Sequence, residues 1–349
     1  MEKLNYFQQR NIKNNKELLN IEKELPYFCD EFFMGIESKT TPLTRLGYAQ
    51  DLKRFFIFLT TQTTLFSDKK PNEITLNDMN KLTETHIEKY MIYLNSYENT
   101  SDNKTYVNSV KTKARKFSSI RTMLRYFYKK GKLEQNVSER LDSPKLREKE
   151  IIKLEPNEVT KLLEAVENGE NLSPSERKYH KINCVRDYAI MSLFLGTGIR
   201  ISELVGLDVN DVDFSQNAFT ITRKGGARVI LYFNEEVKQS LLDYLNVRNH
   251  QAPTDEQAFF LSMQQKRMTT RAVEKLVKKY CRDVTPLKKI TPHKLRSTFG
   301  TNLYRETGDI YVVASVLGHK DVNTTKKYYA AITDDIRRAA ANKVKLRKD

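Results

Sequence analysis

The chain has 349 residues, too long for one ordinary domain, and sets 60 Lys and Arg against 44 Asp and Glu for a net charge of +16. With 39% hydrophobic residues, 18 Tyr and 17 Phe it can build cores, and its basic excess points to a polyanionic partner, nucleic acid before membrane. The longest apolar run, Ala189–Leu195, falls far short of the ~20 residues of a membrane span, and the amino-terminal segment has no apolar signal core. Three scattered cysteines (Cys29, Cys184, Cys281) and five histidines fit neither a disulfide framework nor zinc spacing.

In chain order, the residues up to about 145 read as helices, with no alternation of period two. Leu18 to Met34 has apolar residues at helical intervals, with Pro26 as an interruption. Thr41-Pro42 matches an N-cap followed by proline in the first turn of a helix through Leu43, Leu52, Phe55 and Phe58. Further helices are predicted from about Thr83 to Tyr97 and from about Val107 to Tyr128. The last is strongly basic and carries Lys111, Lys113, Arg115, Lys116, Arg121 and Arg125 as candidate DNA contacts.

Asp142–Lys153, charge-rich and poor in apolar residues, reads as a linker. A new helix is signalled from Glu155-Pro156, the polar stretch Gly169–Lys181 reads as a loop, and a buried helix follows from Val185 to Leu195. Asn217–Thr222 and Ala227–Phe233 alternate like two strands of a hairpin around Lys224-Gly225-Gly226, and Ala258–Leu261 is a candidate third strand. Helices dominate the remainder.

Four segments of this second half carry polar residues suited to phosphate chemistry, and each also has an ordinary reading. Arg200 follows two helix-ending glycines, Gly196 and Gly198; it is either an interior guanidinium or a surface partner of Glu203. Lys224 beside two glycines is a solvated turn residue or an ammonium delivered into a nucleic-acid groove. His293 and Arg296 share one face at the start of a helix opened by Thr291-Pro292, where charge, donors and the helix dipole suit a phosphate. Cations there oppose the dipole, which argues against a merely solvated turn. Gly318 reads as the residue after a helix C-terminus, leading into His319, Tyr328 and Tyr329; Tyr328 could equally be a half-buried helix aromatic.

Taken in order, these segments resemble the tyrosine recombinase (phage integrase) family of site-specific DNA recombinases. That family's Arg…Lys…His-x-x-Arg…His…Tyr signature falls on Arg200, Lys224, His293, Arg296, His319 and Tyr328. The flanking text agrees: TGIRISELVGLDVNDVD, the 24-residue step from Arg200 to Lys224, LGH, and TT-x-x-Y with the tyrosine nine residues after His319. The compact Xer type, which resolves chromosome dimers, is most similar, and within it the single-polypeptide XerS-like recombinases.

The resemblance implies a mainly α fold: a helical core-binding (SAM-like) domain over 1–145, a linker over 146–153, and a mixed α/β catalytic domain over 154–349 with a small antiparallel sheet. It implies DNA cleavage and rejoining through a 3′-phosphotyrosyl link and a Holliday junction. Tyr328 is then the nucleophile, Arg200 and Arg296 the phosphate clamps, His293 the proton acceptor, Lys224 the general acid, His319 a hydrogen-bond donor and Glu203 a support for Arg200. No cofactor, metal or ATP is implied. The implied partners are double-stranded DNA with a specific site closed between both domains, and a homotetramer on two sites docked through the helix of Asp334–Lys345. A DNA translocase is a further candidate partner, and a cytoplasmic, nucleoid-associated location is expected. Integration or excision of a mobile element is the alternative role. A type IB topoisomerase and a catalytically silent DNA-binding factor are the more distant readings.

Overall fold

The computed structural model describes residues 4–99, 103–145, 152–223 and 226–318, and the chain divides into two units, Met1–Glu148 and Lys149–Asp349. In the first unit, α1 (Tyr6–Glu22) opens with a capping box in which Asn5 and Gln8 bond each other's backbone N–H, both at 2.9 Å. Pro26 separates it from α2 (Phe28–Gly35). Thr41 caps α3 (Pro42–Thr61), whose Leu52, Phe55, Phe56 and Leu59 are fully buried, and α4 (Glu84–Tyr93) packs beside it.

The expectation of an all-helical first half is corrected by a hairpin of β1 (Ser96–Asn99) and β2 (Lys104–Val107), paired antiparallel with Tyr97 opposite Tyr106. It takes the end of one predicted helix and the start of the next. The reason lies in cross-strand pairing, which four-residue strands reveal only once they meet. Tyr93, Tyr97 and Tyr106 stack at 5.0 and 5.7 Å between successive ring centroids, and the Arg54 guanidinium lies 4.7 Å over Tyr97. Ser109 then caps α5 (Val110–Lys129), which buries Phe117, Ile120, Met123 and Phe127.

The second unit begins with α6 (Pro156–Asn168) and α7 (Pro174–Thr197). The segment expected to be a loop over Gly169–Lys181 becomes helical from Pro174. Ser173-Pro174-Ser175-Glu176 is a capping box with proline in the first turn, and the two polar turns that follow are helix surface. Beyond the short α8 (Ile201–Gly206) comes an antiparallel sheet, β3 (Val212–Asp213), β4 (Ala218–Thr222) and β5 (Arg228–Tyr232), in that order. The third strand is therefore Val212–Asp213. Ala258–Leu261 makes only isolated bridges, Asp208 with Ala258 and Leu261 with Arg267, and it is buried. The helices α9 (Glu235–Gln251), α10 (Thr270–Val284), α11 (Pro292–Thr307) and α12 (Ile310–Leu317) complete the unit. Among the described residues no helix is long and apolar enough to cross a membrane.

Candidate active site

Three helix ends meet in the second unit. The first is the end of α7, where Gly198 adopts φ +62°, and a Cβ there would run into Phe299 and Leu317. The tight turn frees Arg200 to become the N-cap of α8. Glu203, only 4% exposed, locks it: its Oε2 accepts from the Arg200 backbone N–H at 2.9 Å and its Oε1 from Nη1 at 2.8 Å. The ordinary reading of Arg200 as a partner of Glu203 and the interior reading thus both describe it.

The second end is the C-terminus of α12, whose last carbonyls have no partner within the helix and carry the negative pole of its dipole. Arg200 Nη2 donates to the carbonyls of Leu317 and Gly318, both at 3.1 Å. The third is the start of α11. Arg296, 5% exposed, donates through Nη1 to the carbonyl of Gly198 and through Nη2 to that of Leu317. The opposition between a cation and the N-terminus of its own helix is thereby resolved, because the Arg296 guanidinium extends to the C-terminal ends of α7 and α12. Thr298 pins α11 from behind, its Oγ1 accepting from the Leu154 backbone N–H at 2.9 Å.

Two guanidinium groups thus converge on the Leu317 carbonyl, two residues before His319 in sequence. Such a pair of fixed, hydrogen-bonded cations suits a doubly charged phosphorane-like transition state, which needs donors in place before reaction. His293, one turn ahead of Arg296 on α11, is exposed. Lys224, His319, Tyr328, Tyr329 and the segment Asp334–Lys345 lie outside the described residues. Sequence reasoning passed over Arg223, which donates to the Val316 carbonyl at 2.9 Å and joins the same helix end. Its only signal was a second basic residue directly before Lys224.

The six candidate DNA contacts on α5 separate into groups. Lys116 is 8% exposed and lies 3.4 Å from Asp51, and burial draws its ammonium below the usual lysine range despite that carboxylate. Arg121 lies 4.6 Å over Phe117 and donates to the carbonyls of Ser138 (3.2 Å) and Leu141, tying α5 to the segment after it. Lys113 bonds Asn95 at 2.6 Å. Lys111, Arg115 and Arg125 are exposed, Arg115 while also paired with Asp51. Lys116→Ala and Arg121→Ala are expected to lower the thermal unfolding midpoint by several degrees. Lys111→Ala and Arg125→Ala should instead weaken DNA binding at low salt and flatten its salt dependence, with stability unchanged. Thermal melts and binding titrations at low and high salt separate the two groups.

Comparison with known proteins bears on family and fold. The phage integrase family matches residues 153–335, just over half of the chain. Tyrosine recombinase XerC of Caldanaerobacter subterraneus subsp. tengcongensis is 33% identical over 343 residues, covering 96% of this chain and 91% of its own. Tyrosine recombinase XerS of Streptococcus thermophilus is 28% identical over 344 residues, covering 91% and 95%. Among solved structures, the XerH site-specific recombinase in a post-cleavage complex with palindromic difH superposes with a TM-score of 0.61 at 18% identity, over 83% of this chain and 77% of its own. The Tn1549 transposon integrase with circular intermediate DNA gives 0.61 at 21% identity, over 90% and 98%. These structures share the fold: mainly helical, with a small antiparallel sheet.

Proposed function

The chain belongs to the phage integrase family of tyrosine recombinases, and from that premise we propose that it resolves chromosome dimers by recombining a specific chromosomal site. Its reaction is site-specific recombination through a phosphotyrosyl intermediate. In the proposed assignment the Tyr328 hydroxyl attacks the scissile phosphorus, a P–O(Tyr) bond forms, and the P–O5′ bond breaks. The phenol proton passes to His293, and Lys224 protonates the departing 5′ oxygen. The 5′ hydroxyl of a partner strand then attacks the phosphotyrosine and restores the phenol. Bond energy is conserved in the ester, so the exchange runs without a nucleotide. A phenol with an ordinary pKa of ~10 is a weak nucleophile at neutral pH, and Arg200, Arg296 and His319 assist it by stabilising the charge it creates on the phosphate.

The observation that carries the assignment is the convergence of Arg200 and Arg296 on the end of α12, directly before His319. DNA is the substrate. The proposed working assembly is a homotetramer on two sites, docked through Asp334–Lys345, in the cytoplasm at the nucleoid, with a DNA translocase as the activator of synapsis. Similarity to XerC and XerS over more than nine-tenths of this chain supports the chromosomal role.

The test uses duplexes carrying candidate inverted-repeat sites from the source chromosome, each nicked opposite the expected cleavage position. A covalent protein–DNA band on a denaturing gel is expected, and after trypsin digestion mass spectrometry should place the nucleotide on Tyr328. A nucleotide on Tyr329 would shift the register of the site. A band only on the ends of a mobile element would replace the chromosomal role with integration.

A further inference from the structure

We propose that Arg223 is a positioning residue for the reaction: it fastens the foot of the β4–β5 hairpin to the end of α12, and so sets the delivery of the adjacent Lys224 to the departing 5′ oxygen. The inference rests on the strand-transfer reading above and concerns a residue outside the family signature found in this chain.

Four observations carry it. The Arg223 backbone closes the foot of the hairpin, its N–H donating to the Ala227 carbonyl at 2.8 Å and its carbonyl accepting from the Gly226 N–H at 3.0 Å. Its side chain leaves the sheet and donates through Nη2 to the Val316 carbonyl at 2.9 Å, ninety-three residues on. The guanidinium packs against Gly318, where a Cβ would run into Cζ, Nε and Nη1, and Gly318 itself adopts φ +61°. Its Nε is buried and finds no hydrogen-bond partner among the described residues, a cost kept in a group that is only half-buried overall.

The electrostatics agree. Burial draws the Arg223 pKa below its ordinary value, Glu203 opposes that effect and Arg200 adds to it, so the three groups share one field. Arg200, Arg296 and Arg223 together hold the carbonyls of Val316, Leu317 and Gly318. The negative end of α12 is the natural counter-pole for cations packed this closely. Two of the three are the proposed phosphate clamps. The third belongs to the chain that continues into Lys224, so hairpin and phosphate site take their positions from the same helix end. A general acid must stand within hydrogen-bond reach of the atom it protonates, and a displacement of about 1 Å can cost about 100-fold.

Because Arg223 is argued to act through Lys224, its loss should matter only where the leaving group needs a proton. The experiment uses the full-length protein and the nicked site duplexes of the preceding test, made with an ordinary phosphodiester and with sulfur replacing the bridging 5′ oxygen. A 5′ thiolate leaves unprotonated. Arg223→Ala is expected to slow adduct formation about 10- to 100-fold on the oxygen substrate and by less than about threefold on the sulfur substrate. Lys224→Ala should show the same rescue, and Arg200→Ala should be slow on both. Arg223→Lys, which keeps the cation but not the planar fork against the end of α12, should show a smaller loss of the same pattern, so the inference remains testable if Arg223→Ala does not fold. Equal losses on the two substrates, or no loss on either, would overturn the role of Arg223 while the wild-type adduct still upheld strand transfer. Absence of any wild-type adduct on either substrate would overturn strand transfer itself.

Discussion

Arg296→Ala is expected to slow formation of the covalent protein–DNA adduct about 10³-fold and to destabilise the second unit at the same time. Both effects come from one geometry. The side chain is 5% exposed and bridges the carbonyls of Gly198 and Leu317, which end α7 and α12. Truncation strips the Gly198 carbonyl of its side-chain donor, at a cost of about 1–3 kcal/mol if it stays buried, and leaves the Leu317 carbonyl to Arg200 alone. It also removes a fixed cation from the proposed phosphate site, where low dielectric makes preorganised charge most effective. Arg296→Lys should recover part of the stability and little of the rate, because a point-like ammonium cannot reproduce a planar fork reaching two acceptors. Single-turnover adduct formation at saturating DNA, measured well below the unfolding midpoint, separates rate from folding. A rate within about tenfold of wild type would remove Arg296 from the chemistry.

Asp51→Ala should have the largest effect on the first unit, a loss of about 3 kcal/mol. This carboxylate is 1% exposed on α3 and gathers Arg115, Lys116 at 3.4 Å and the Ser119 hydroxyl at 2.8 Å from α5. The Arg115 side chain is 54% exposed and its pairing is screened, so most of the loss falls on Lys116, left charged and buried without a counter-ion. For a unit of this size the loss corresponds to a fall of roughly 10 °C in the unfolding midpoint, measurable by calorimetry. Replacing the pair together, Asp51→Ala with Lys116→Met, should restore most of it, since two apolar groups leave no charge behind. If the double variant is no more stable than Asp51→Ala, the penalty does not come from the stranded ammonium.

Much of this was readable one segment at a time. Thr41-Pro42 and Thr291-Pro292 announce their helices, and Gly198 and Gly318 end theirs in the left-handed conformation that glycine tolerates. Lys-Gly-Gly lies between two alternating segments that do pair. The misreadings had one origin, which is that composition does not report context. Pro174–Lys181 looked like a loop because exposed helix is polar, and Ala258–Leu261 looked like a strand because it is apolar and short. The β1–β2 hairpin was hidden in what resembled helix ends, since Tyr97 and Tyr106 gain from facing each other only after the chain reverses.

Residue types, their order and the local caps establish the family, the helices and the candidate set Arg200, Lys224, His293, Arg296, His319 and Tyr328, because those signals act within a few residues of one another. Which cations belong to the site was decided by folding. Lys116 and Arg121 look like DNA contacts on a basic helix but are tied into the first unit, and Arg223 looks like a strand end but grips α12. Arg200 and Arg296 find Leu317 across 117 and 21 residues, and Arg296 finds Gly198 across 98. Guanidinium groups that share one helix terminus depend on where three helices end in space, and no local pattern carries that information.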